Sequence, residues 1–316
     1  APPTVSHYRA MLTASVDGLT GEEARNALRL AYRRELTRLA AWDLDHPEPI
    51  EIVPVVAAAL ADLAGAALDA ALLIARGEVR FPADEVAATR LAIVGMGKAG
   101  ARELNYLSDV DVIYVAAGDG IPDARAIEIA TRPAVDATHP IQELAVEPPL
   151  WEADANLRPE GKDGALVRSL ESHLAYYDRW AKSWEFQALL KARPLAGDLE
   201  LGERFVAGVA PKVWSASSRE GFVESVQKMR ERVLEHIPRD EVDVQLKLGP
   251  GGLRDVEFTI QLLQLVHGQA DDGIRQRSTL DALAALAERG YIGRAEASEF
   301  ARDYRFLRLL EHRIQL

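Results

Sequence analysis

Two short segments near the middle of the chain hold residues whose types and spacing suit chemistry on phosphate groups. The first, Gly95-Met96-Gly97-Lys98-Ala99-Gly100, matches the G-x-G-x-x-G turn that lets a backbone approach a phosphate. The second places Asp109 and Asp111 on either side of one valine. In a strand these two side chains would share a face. Their repulsion would raise the pKa of one carboxyl group unless a cation lay between them, and Mg²⁺ suits such a site.

The glycine turn does not fit a dinucleotide-binding fold. That fold needs a full helix after the turn and then a parallel strand. Only Ala101 to Leu107 separate Gly100 from Ser108, whereas a crossover to a parallel strand takes about a dozen residues or more. The short distance favours a turn that delivers the two aspartates onto an adjoining strand.

A third acid is needed to complete a site able to hold two metal ions around a phosphorus centre. The segment "WEADANLRP" offers Asp154, with Glu152 as a competitor on the same face. A D-x-D tripeptide by itself is common, so the alternative remains that these acids are turn and edge residues. The seven histidines show no ligand spacing and are assigned no zinc or catalytic role.

Composition limits the classes of function. The formal charge of -12 argues against a polynucleotide partner, because a general nucleic-acid binder carries a positive field. The chain has no cysteine, which excludes disulfides and thiolate zinc sites and suits a reducing cytoplasm. The apolar segment Ile52 to Ala75 carries Asp62 and Asp69, so we interpret it as a packed amphipathic helix and expect no membrane span.

The pattern along the chain predicts three regions. Residues 1–80 have helical periodicity, residues 81–168 contain short β-rich runs such as "RLAIVG" and "VDVIYVAA", and residues 169–316 return to helical periodicity. The connection after the second β-rich run starts with the pattern of a short helix, but prolines at 133, 140, 148 and 149 break it up and predict an irregular connection. The N-terminus shows no secretory signal, and the apolar pattern of the last helix continues to Leu316, so we expect the natural protein to extend further.

Several long motifs in order resemble one family. "GMGKAGARELNYLSDVDVIYV", "EADANLRPEGKDGALVRSLESHLAYY", "WEFQALLKARPLAGD" and "KLGPGGLRDVEFTIQLLQLVHG" are similar to the bifunctional glutamine synthetase adenylyltransferase/adenylyl-removing enzymes, over nearly the whole chain. The resemblance implies an α+β fold. It would be a polymerase-β-like nucleotidyltransferase domain with a small mixed sheet, flanked by N-terminal helices and a C-terminal helical bundle. It also implies a helix on the sheet between Arg132 and Leu150, where this sequence is rich in proline.

The resemblance also assigns site residues. It places the metal-binding and catalytic acids at Asp109, Asp111 and Asp154. It places phosphate or nucleotide contacts at Gly95, Gly97 and Ser108, with three basic candidates for which a structural ion pair is the alternative: Arg158, Lys191 and Arg193. Asp255 and Glu257 resemble a further motif, but they are expected to open a helix, where an i, i+2 pair does not share a face.

The implied function is removal of AMP from a tyrosine of glutamine synthetase. This chain resembles the N-terminal, adenylyl-removing unit more than the C-terminal unit, which implies Mg²⁺-dependent phosphorolysis that consumes inorganic phosphate and releases ADP. A PII-type signalling protein is the implied regulator. Three alternatives remain: AMP transfer from ATP to glutamine synthetase, a small-molecule nucleotidyltransferase, and a non-catalytic regulatory module.

Overall fold

A computed structural model describes residues 1–143, 145–235 and 244–316. These residues form five strands and fourteen α-helices. In chain order the elements are α1 (Val5–Val16), α2 (Gly21–Asp45), α3 (Pro49–Glu78), α4 (Ala83–Ala87), β1 (Thr89–Gly95), α5 (Gly97–Ala101), β2 (Val110–Gly118), α6 (Asp123–Asp136), α7 (His139–Gln142), β3 (Ala153–Asp154), β4 (Val167–Ser169), α8 (Leu170–Arg179), α9 (Ser183–Leu189), β5 (Arg193–Gly197), α10 (Leu199–Trp214), α11 (Phe222–Glu235), α12 (Leu253–His267), α13 (Thr279–Glu288) and α14 (Arg294–Gln315). The described chain is thus mixed, with many helices around one small sheet.

The long helix α3 is buried at the centre of the N-terminal helices. It packs on α1, α2 and β5, and its many alanines let these neighbours approach closely. Among the described helices it is the one long and apolar enough to cross a membrane, but 72% of its most apolar window is buried inside the fold. Its two acids are engaged: Asp62 pairs with Arg102, and Asp69 lies 3.0 Å from Arg9. These contacts are those of a core helix.

The sheet is mixed, with strand order β3-β2-β1-β5 and β4 also paired with β2. β1 runs antiparallel to both β2 and β5, whereas β3 and β4 run parallel to β2. An antiparallel β1–β2 pair cannot be a dinucleotide-binding crossover, which requires parallel strands. The rejection of that interpretation is confirmed.

The two faces of β2 pack on different hydrophobic cores. Val110, Val112 and Tyr114 belong to the core shared with the N-terminal helices and α6. Ile113 and Val115 belong to the core shared with α8, α9 and α10. Asp111 has the same parity as the second set, so it lies at the end of the strand face that looks towards the C-terminal helices.

The connection after β2 is predicted to start with a short helix and to become irregular at its prolines. The short helix is confirmed, but the predicted break at Pro133 is wrong. Helix α6 continues through Pro133 to Asp136 and packs on β1 and β2. Its buried face is regular, with Ala126, Ile129 and Ala130 in the core beside the proline. Proline removes one backbone hydrogen bond and crowds the preceding turn, and the burial of this apolar face on the sheet offsets that cost. The helix implied by the resemblance is therefore present, although it begins and ends earlier than Arg132 to Leu150.

The helices after β5 form two packed groups. α8, α9 and α10 cover one face of the sheet, and a smaller core joins α12, α13 and α14. α14 also returns to contact α3. The three regions bounded at residues 80 and 168 remain a prediction.

Candidate active site

The two acids Asp111 and Asp154 stand side by side at one edge of the sheet. Asp111 is the second residue of β2, and its Cα is the register partner of Asp154 on the short parallel strand β3. A backbone hydrogen bond of 2.8 Å from Val110 N to Glu152 O extends this pairing by one step. Asp109 is exposed and immediately precedes β2. The register brings Asp154, rather than the exposed Glu152, opposite Asp111.

The glycine turn closes over this acid pair. Met96 N donates to Asp111 O at 2.8 Å, which carries the β1–β2 ladder into the turn. Gly97 has a φ of 49°, and a Cβ atom there would overlap the Asp111 carboxylate. Gly100 is equally restricted, because a Cβ atom would overlap the carbonyl oxygen of Lys191. Only glycine therefore fits at 97, where it combines the left-handed backbone with close approach to a carboxylate.

The electrostatics of Asp111 show negative charge that is not fully compensated. Burial, together with the nearby charges of Asp154 and Asp109, raises the pKa of this carboxyl group to about 6. Two cations oppose the shift, namely Lys247 and Arg254. A cluster of acids with a raised pKa is the environment in which a bound cation is most strongly favoured.

Lys247 and Arg254 were not predicted as site residues. They flank "LGPGGL", far along the chain from the aspartates, and their backbones are joined by a 3.0 Å hydrogen bond from Arg254 N to Lys247 O. Lys247 is exposed, and Arg254 opens helix α12. The sequence contained one signal, because both residues lie in the family-like segment "KLGPGGLRDVEF". Nothing in that segment indicated that its two cations come near enough to Asp111 to act on its carboxyl group.

The donor set fits Mg²⁺, although it is not a preformed cage. Within residues 1–143, 145–235 and 244–316, no three acidic or histidine side chains are close enough to hold a metal ion by themselves. Mg²⁺ does not need such a cage, since it is typically bound through one or two carboxylates, with water and substrate phosphate oxygens completing its shell. Asp111 and Asp154 provide that minimum, and Asp109 lies beside them. The oxygen ligands and the excess negative charge both suit a hard divalent cation.

The remaining predicted contacts on the turn and strand are placed close to the acids. Gly95 ends β1, where it pairs with Val112 of β2. Ser108 is half-buried and its hydroxyl donates to Asp109 O at 3.0 Å, so it shapes the entry into β2. The glycine turn, Ser108 and the three acids are thus brought to one edge of the sheet, as the sequence predicted.

Two of the predicted basic residues instead bind backbone carbonyl groups. Arg158 donates to the carbonyl oxygens of Ala155 and Gly164, at 2.8 and 3.1 Å, and so organises its own loop. Arg193 donates to the carbonyl oxygen of Ala99 at 2.9 Å and to that of Gly100 at 3.1 Å, at the end of α5. For both residues these bonds favour the structural alternative over contact with a phosphate at the acidic edge.

Lys191 is the clearest correction among the basic candidates. Its ammonium group lies 2.9 Å from the Glu103 carboxylate and 3.3 Å from the Thr279 hydroxyl, and the side chain is 8% exposed. Burial lowers the pKa of Lys191, but Glu103 and Glu257 outweigh it and the net direction is upward. A phosphate would have to displace a matched internal partner, so the phosphate assignment is replaced by an ion pair.

Lys191 is part of a larger set of matched charges, which we call the buried ion cluster. Lys98 of the glycine turn lies 2.6 Å from Glu311, which also pairs with Arg308. Arg308 donates to the carbonyl oxygen of Glu103 at 2.6 Å. The cluster, which ties the turn to α13 and α14, consists of Lys98, Glu103, Lys191, Arg308 and Glu311. Burial and the charge of Arg308 lower the pKa of Lys98 to about 8. Because its ammonium group is held by Glu311 and by the amide oxygen of Asn105 at 2.8 Å, this lysine is a structural tie rather than a phosphate ligand in the described structure.

The arrangement is suited to phosphoryl or nucleotidyl transfer. Such chemistry requires positioning of two anions and neutralisation of their charge, which carboxylate-held Mg²⁺ and neighbouring cations supply. A small mixed sheet with a glycine turn over paired acids is the arrangement that the family resemblance implied for a nucleotidyltransferase domain.

Comparison with known proteins identifies the family. The family model described as glutamate-ammonia ligase adenylyltransferase matches residues 1–208, so the chain belongs to that family. A second model, described as GlnD PII-uridylyltransferase, matches residues 227–316. The first match covers the glycine turn and all three acids, and the second covers Lys247 and Arg254.

Curated relatives agree over the whole chain. Three proteins called bifunctional glutamine synthetase adenylyltransferase/adenylyl-removing enzyme are similar to it. The one from Leifsonia xyli is 63% identical over 100% of this chain and 33% of its own length, and the one from Streptomyces avermitilis is 57% identical over 99% and 30%. The one from Mycobacterium tuberculosis is 54% identical over 92% of this chain and 28% of its own length. The chain therefore spans about a third of the relatives that it matches.

Proposed function

We propose that this chain removes AMP from an adenylylated tyrosine of glutamine synthetase by phosphorolysis. The observation that carries the proposal is the pairing of Asp111 with Asp154 beneath the glycine turn, with Lys247 and Arg254 acting on the same carboxylate. The relatives, which are named as adenylyltransferase and adenylyl-removing enzymes, supply the substrate. The fold is proposed to be polymerase-β-like, and the location is proposed to be cytoplasmic.

The reaction makes modest demands on acid–base chemistry. An oxygen of inorganic phosphate attacks the phosphorus of the AMP-tyrosine diester, and the bond from that phosphorus to the tyrosine oxygen breaks. The products are ADP and a tyrosinate, which takes a proton from water. Phosphate is already an anion, and a phenol with a pKa of about 10 is a fair leaving group, so no strong general base is needed. The main requirement on the site is to align inorganic phosphate with the AMP-tyrosine diester, two anions that repel each other.

Each part of the site has a role in that alignment. Asp109, Asp111 and Asp154 would hold Mg²⁺, which supplies charge neutralisation at the reacting phosphoryl group. The backbone at Gly95 to Gly97 lies close enough to the acids for a phosphate to approach it without a side chain in between. Lys247 and Arg254 are positioned to attract the incoming phosphate to the acidic edge, where it would otherwise be repelled.

The protein partners are proposed from charge and from the comparisons. A folded protein substrate does not need the basic surface that a polynucleotide needs, which agrees with a net charge of -12. The match of residues 227–316 to a model whose description names PII supports a PII-type protein as regulator of this chain.

The test is product identification with purified chain and adenylylated glutamine synthetase. We expect ADP release that requires both inorganic phosphate and Mg²⁺, and that is lost in Asp109→Asn. Exposed Asp163→Asn is the matched control and should retain activity, since it changes an aspartate away from β2 and β3. Release of pyrophosphate from ATP with unmodified glutamine synthetase would indicate the forward transfer, and undiminished ADP release from Asp109→Asn would indicate that the acids are not catalytic.

A further inference from the structure

A large cavity lies apart from the candidate active site. It has a volume of about 630 Å³ and is walled by α3, the α9–β5 connection, α10, residues 275–281 and α14. This size falls within the range of about 300–1,000 Å³ that small-molecule sites occupy. None of Asp109, Asp111 and Asp154 lines it. The cavity is therefore a separate feature with its own chemistry to explain.

Positive charge dominates the polar part of the cavity wall. Six arginines line it: Arg102, Arg193, Arg275, Arg277, Arg305 and Arg308. The acids on the wall are Glu103 and Asp281, and Glu103 is already matched by Lys191. Six guanidinium groups around one cavity are unexpected in a protein whose net charge is -12. Like charges so close together repel, and a bound anion would relieve that repulsion.

The carboxylates beside these arginines do not balance them. Asp62 pairs with Arg102, and Glu311 pairs with Arg308. Arg193 is 3.9 Å from Asp62, which Arg102 already holds more closely. The three remaining arginines have no carboxylate partner among the described residues that accounts for their charge.

Two of the wall arginines have spare hydrogen-bonding capacity within the described part of the chain. Arg277 is exposed and makes no side-chain hydrogen bond to another described residue. The Nε atom of Arg305 is buried without a hydrogen-bond partner. Burial lowers the pKa of Arg193 to about 10, and the charges of Arg102 and Arg277 contribute in the same direction, which shows how closely these groups are gathered. Guanidinium groups in this condition are suited to phosphate or carboxylate oxygens.

Apolar side chains also line the cavity. They are Val206, Val209 and Val213 of α10, together with Leu189 and Trp214, and the guanidinium group of Arg275 lies 5.2 Å from the Trp214 ring. Val206 and Trp214 are partly exposed, and a free inorganic ion would leave them in contact with water, whereas an organic anion would cover them. We propose that the cavity binds a small organic polyanion whose charged groups lie among the arginines and whose apolar body lies on α10. Nucleoside diphosphates have this chemistry.

Binding there would reach the glycine turn through α5. Arg193 lines the cavity and holds the carbonyl groups of Ala99 and Gly100, while Gly97 at the other end of the same helix closes over Asp111. A ligand that engages Arg193 thus contacts the residue that fixes the turn. The binding proposal itself does not depend on the proposed phosphorolysis.

Calorimetry on the 316-residue chain with excess EDTA tests the proposal, because chelation removes divalent metal from the acidic site. ADP is the probe, with pyrophosphate as an anion lacking an apolar body and adenosine as an apolar body lacking charge. We expect one ADP per chain, at least tenfold weaker binding of pyrophosphate, and weaker binding still of adenosine. Arg277→Glu should weaken ADP binding at least tenfold, and Arg277→Lys should weaken it less.

Two variants locate the binding and control for general charge effects. Arg204→Glu changes an exposed arginine on α10 that does not line the cavity, and it should leave ADP affinity unchanged. Asp109→Asn should also leave it unchanged. The proposal is overturned if neither ADP nor pyrophosphate binds, if Arg277→Glu binds ADP as well as the unmodified chain does, if adenosine binds as tightly as ADP, or if Asp109→Asn alters ADP affinity as strongly as Arg277→Glu.

Discussion

The acidic edge of the sheet and the buried ion cluster both adjoin the short helix α5, through Gly97 and Lys98, but within the described chain the charges are unpaired at the acidic edge and paired in the cluster. At the acidic edge Asp111 and Asp154 face each other with no arginine or lysine in direct contact among the described residues, and the pKa of Asp111 is raised to about 6. In the buried ion cluster each acid has a cation within hydrogen-bonding distance, as with Lys191 and Glu103 at 2.9 Å. At the acidic edge the carboxylates still repel one another, whereas in the buried ion cluster each carboxylate is paired with a cation.

This difference separates residues that hold the fold from residues available for chemistry. Charges that are matched inside the protein have no capacity left for a substrate, and breaking one pair is costly. Charges that remain unmatched at an accessible edge destabilise the empty protein and favour a bound cation. Motif membership alone does not make this distinction, because Lys98 and Gly97 are neighbours in one motif and belong to different regions.

The largest expected effect comes from neutralising the acidic edge. Asp111→Asn should reduce ADP release at least a thousandfold, which corresponds to about 4 kcal/mol of lost transition-state stabilisation. The reason is loss of a charged ligand for Mg²⁺. Initial rates at saturating phosphate measure it, with Asp163→Asn as the control. A loss of less than tenfold would show that this edge is not the reaction centre.

Breaking the buried ion cluster should affect stability rather than chemistry. Lys191→Met leaves Glu103 buried without its cation and should lower the free energy of unfolding by about 3–5 kcal/mol. Lys191→Met combined with Glu103→Gln should recover part of that loss, because the remaining side chain is neutral and still accepts from Thr279. Urea unfolding followed by circular dichroism measures both. A stable Lys191→Met with a strongly raised KM for phosphate would restore the phosphate assignment.

Removing one cation beside the acids should raise the KM for phosphate more than it lowers kcat. Lys247→Ala should lower kcat/KM for phosphate about 10- to 100-fold, or about 1.4–2.7 kcal/mol, mainly by raising KM. Lys228→Ala removes an exposed lysine on α11 and should have no effect. Steady-state rates at varied phosphate distinguish the two. Equal effects of both variants would mean that Lys247 contributes only to the overall electrostatic field of the protein and has no specific role at the acidic edge.

The smallest expected effect is a gain of stability on removing the repulsion at Asp111. Because the folded-state pKa is about 6 and an ordinary aspartate titrates near 3.8, the folded chain binds more protons between those pH values. The contribution of Asp111 to stability is therefore greatest below about pH 4, falls as pH rises to 6, and is lowest above 6. In EDTA at pH 7, Asp111→Asn should unfold at a temperature about 2 °C above that of the unmodified chain. The corresponding gain in the free energy of unfolding is roughly 1–2 kcal/mol, a figure already reduced because the side chain is partly exposed to solvent.

At pH 4 the same pair of proteins should unfold at nearly equal temperatures. Thermal unfolding at the two pH values measures the effect, and addition of Mg²⁺ at pH 7 should raise the midpoint of the unmodified chain more than that of Asp111→Asn. A variant that is less stable than the unmodified chain at pH 7 without metal would contradict the unmatched charge at this edge.

The local part of the site could be predicted from the sequence because its residues are close along the chain. Seven residues between Gly100 and Ser108 allow only an adjoining strand, and the observed antiparallel β1–β2 pair follows from that distance. The alternation along β2 likewise placed Val110 and Val112 in a core and Asp111 on the other face. The segment "WEADANLRP" offers Asp154 and Glu152, and the family resemblance selects Asp154, whose register with Asp111 agrees with that choice.

The rest depended on packing between distant segments, which local pattern does not encode. Pro133 predicted a helix break, but the cost of one proline is smaller than the gain from burying the apolar face of α6 on the sheet. The sequence around Lys191 is compatible with a phosphate ligand, but its ammonium group pairs with the carboxylate of Glu103, 88 residues away along the chain. The approach of Lys247 to Asp111 joins segments well over a hundred residues apart, and no periodicity reports such a contact.

The most direct measurement follows the phosphorus atom of inorganic phosphate into the product. Adenylylated glutamine synthetase is incubated with the chain, Mg²⁺ and radiolabelled inorganic phosphate, and the nucleotide products are separated. If phosphate attacks the AMP-tyrosine diester at the acidic edge, the label appears in the β-phosphate of ADP, in equal amount to the tyrosine released, and Asp111→Asn forms none. Unlabelled AMP as the product, or labelled ADP formed equally well by Asp111→Asn, would contradict phosphorolysis at Asp109, Asp111 and Asp154.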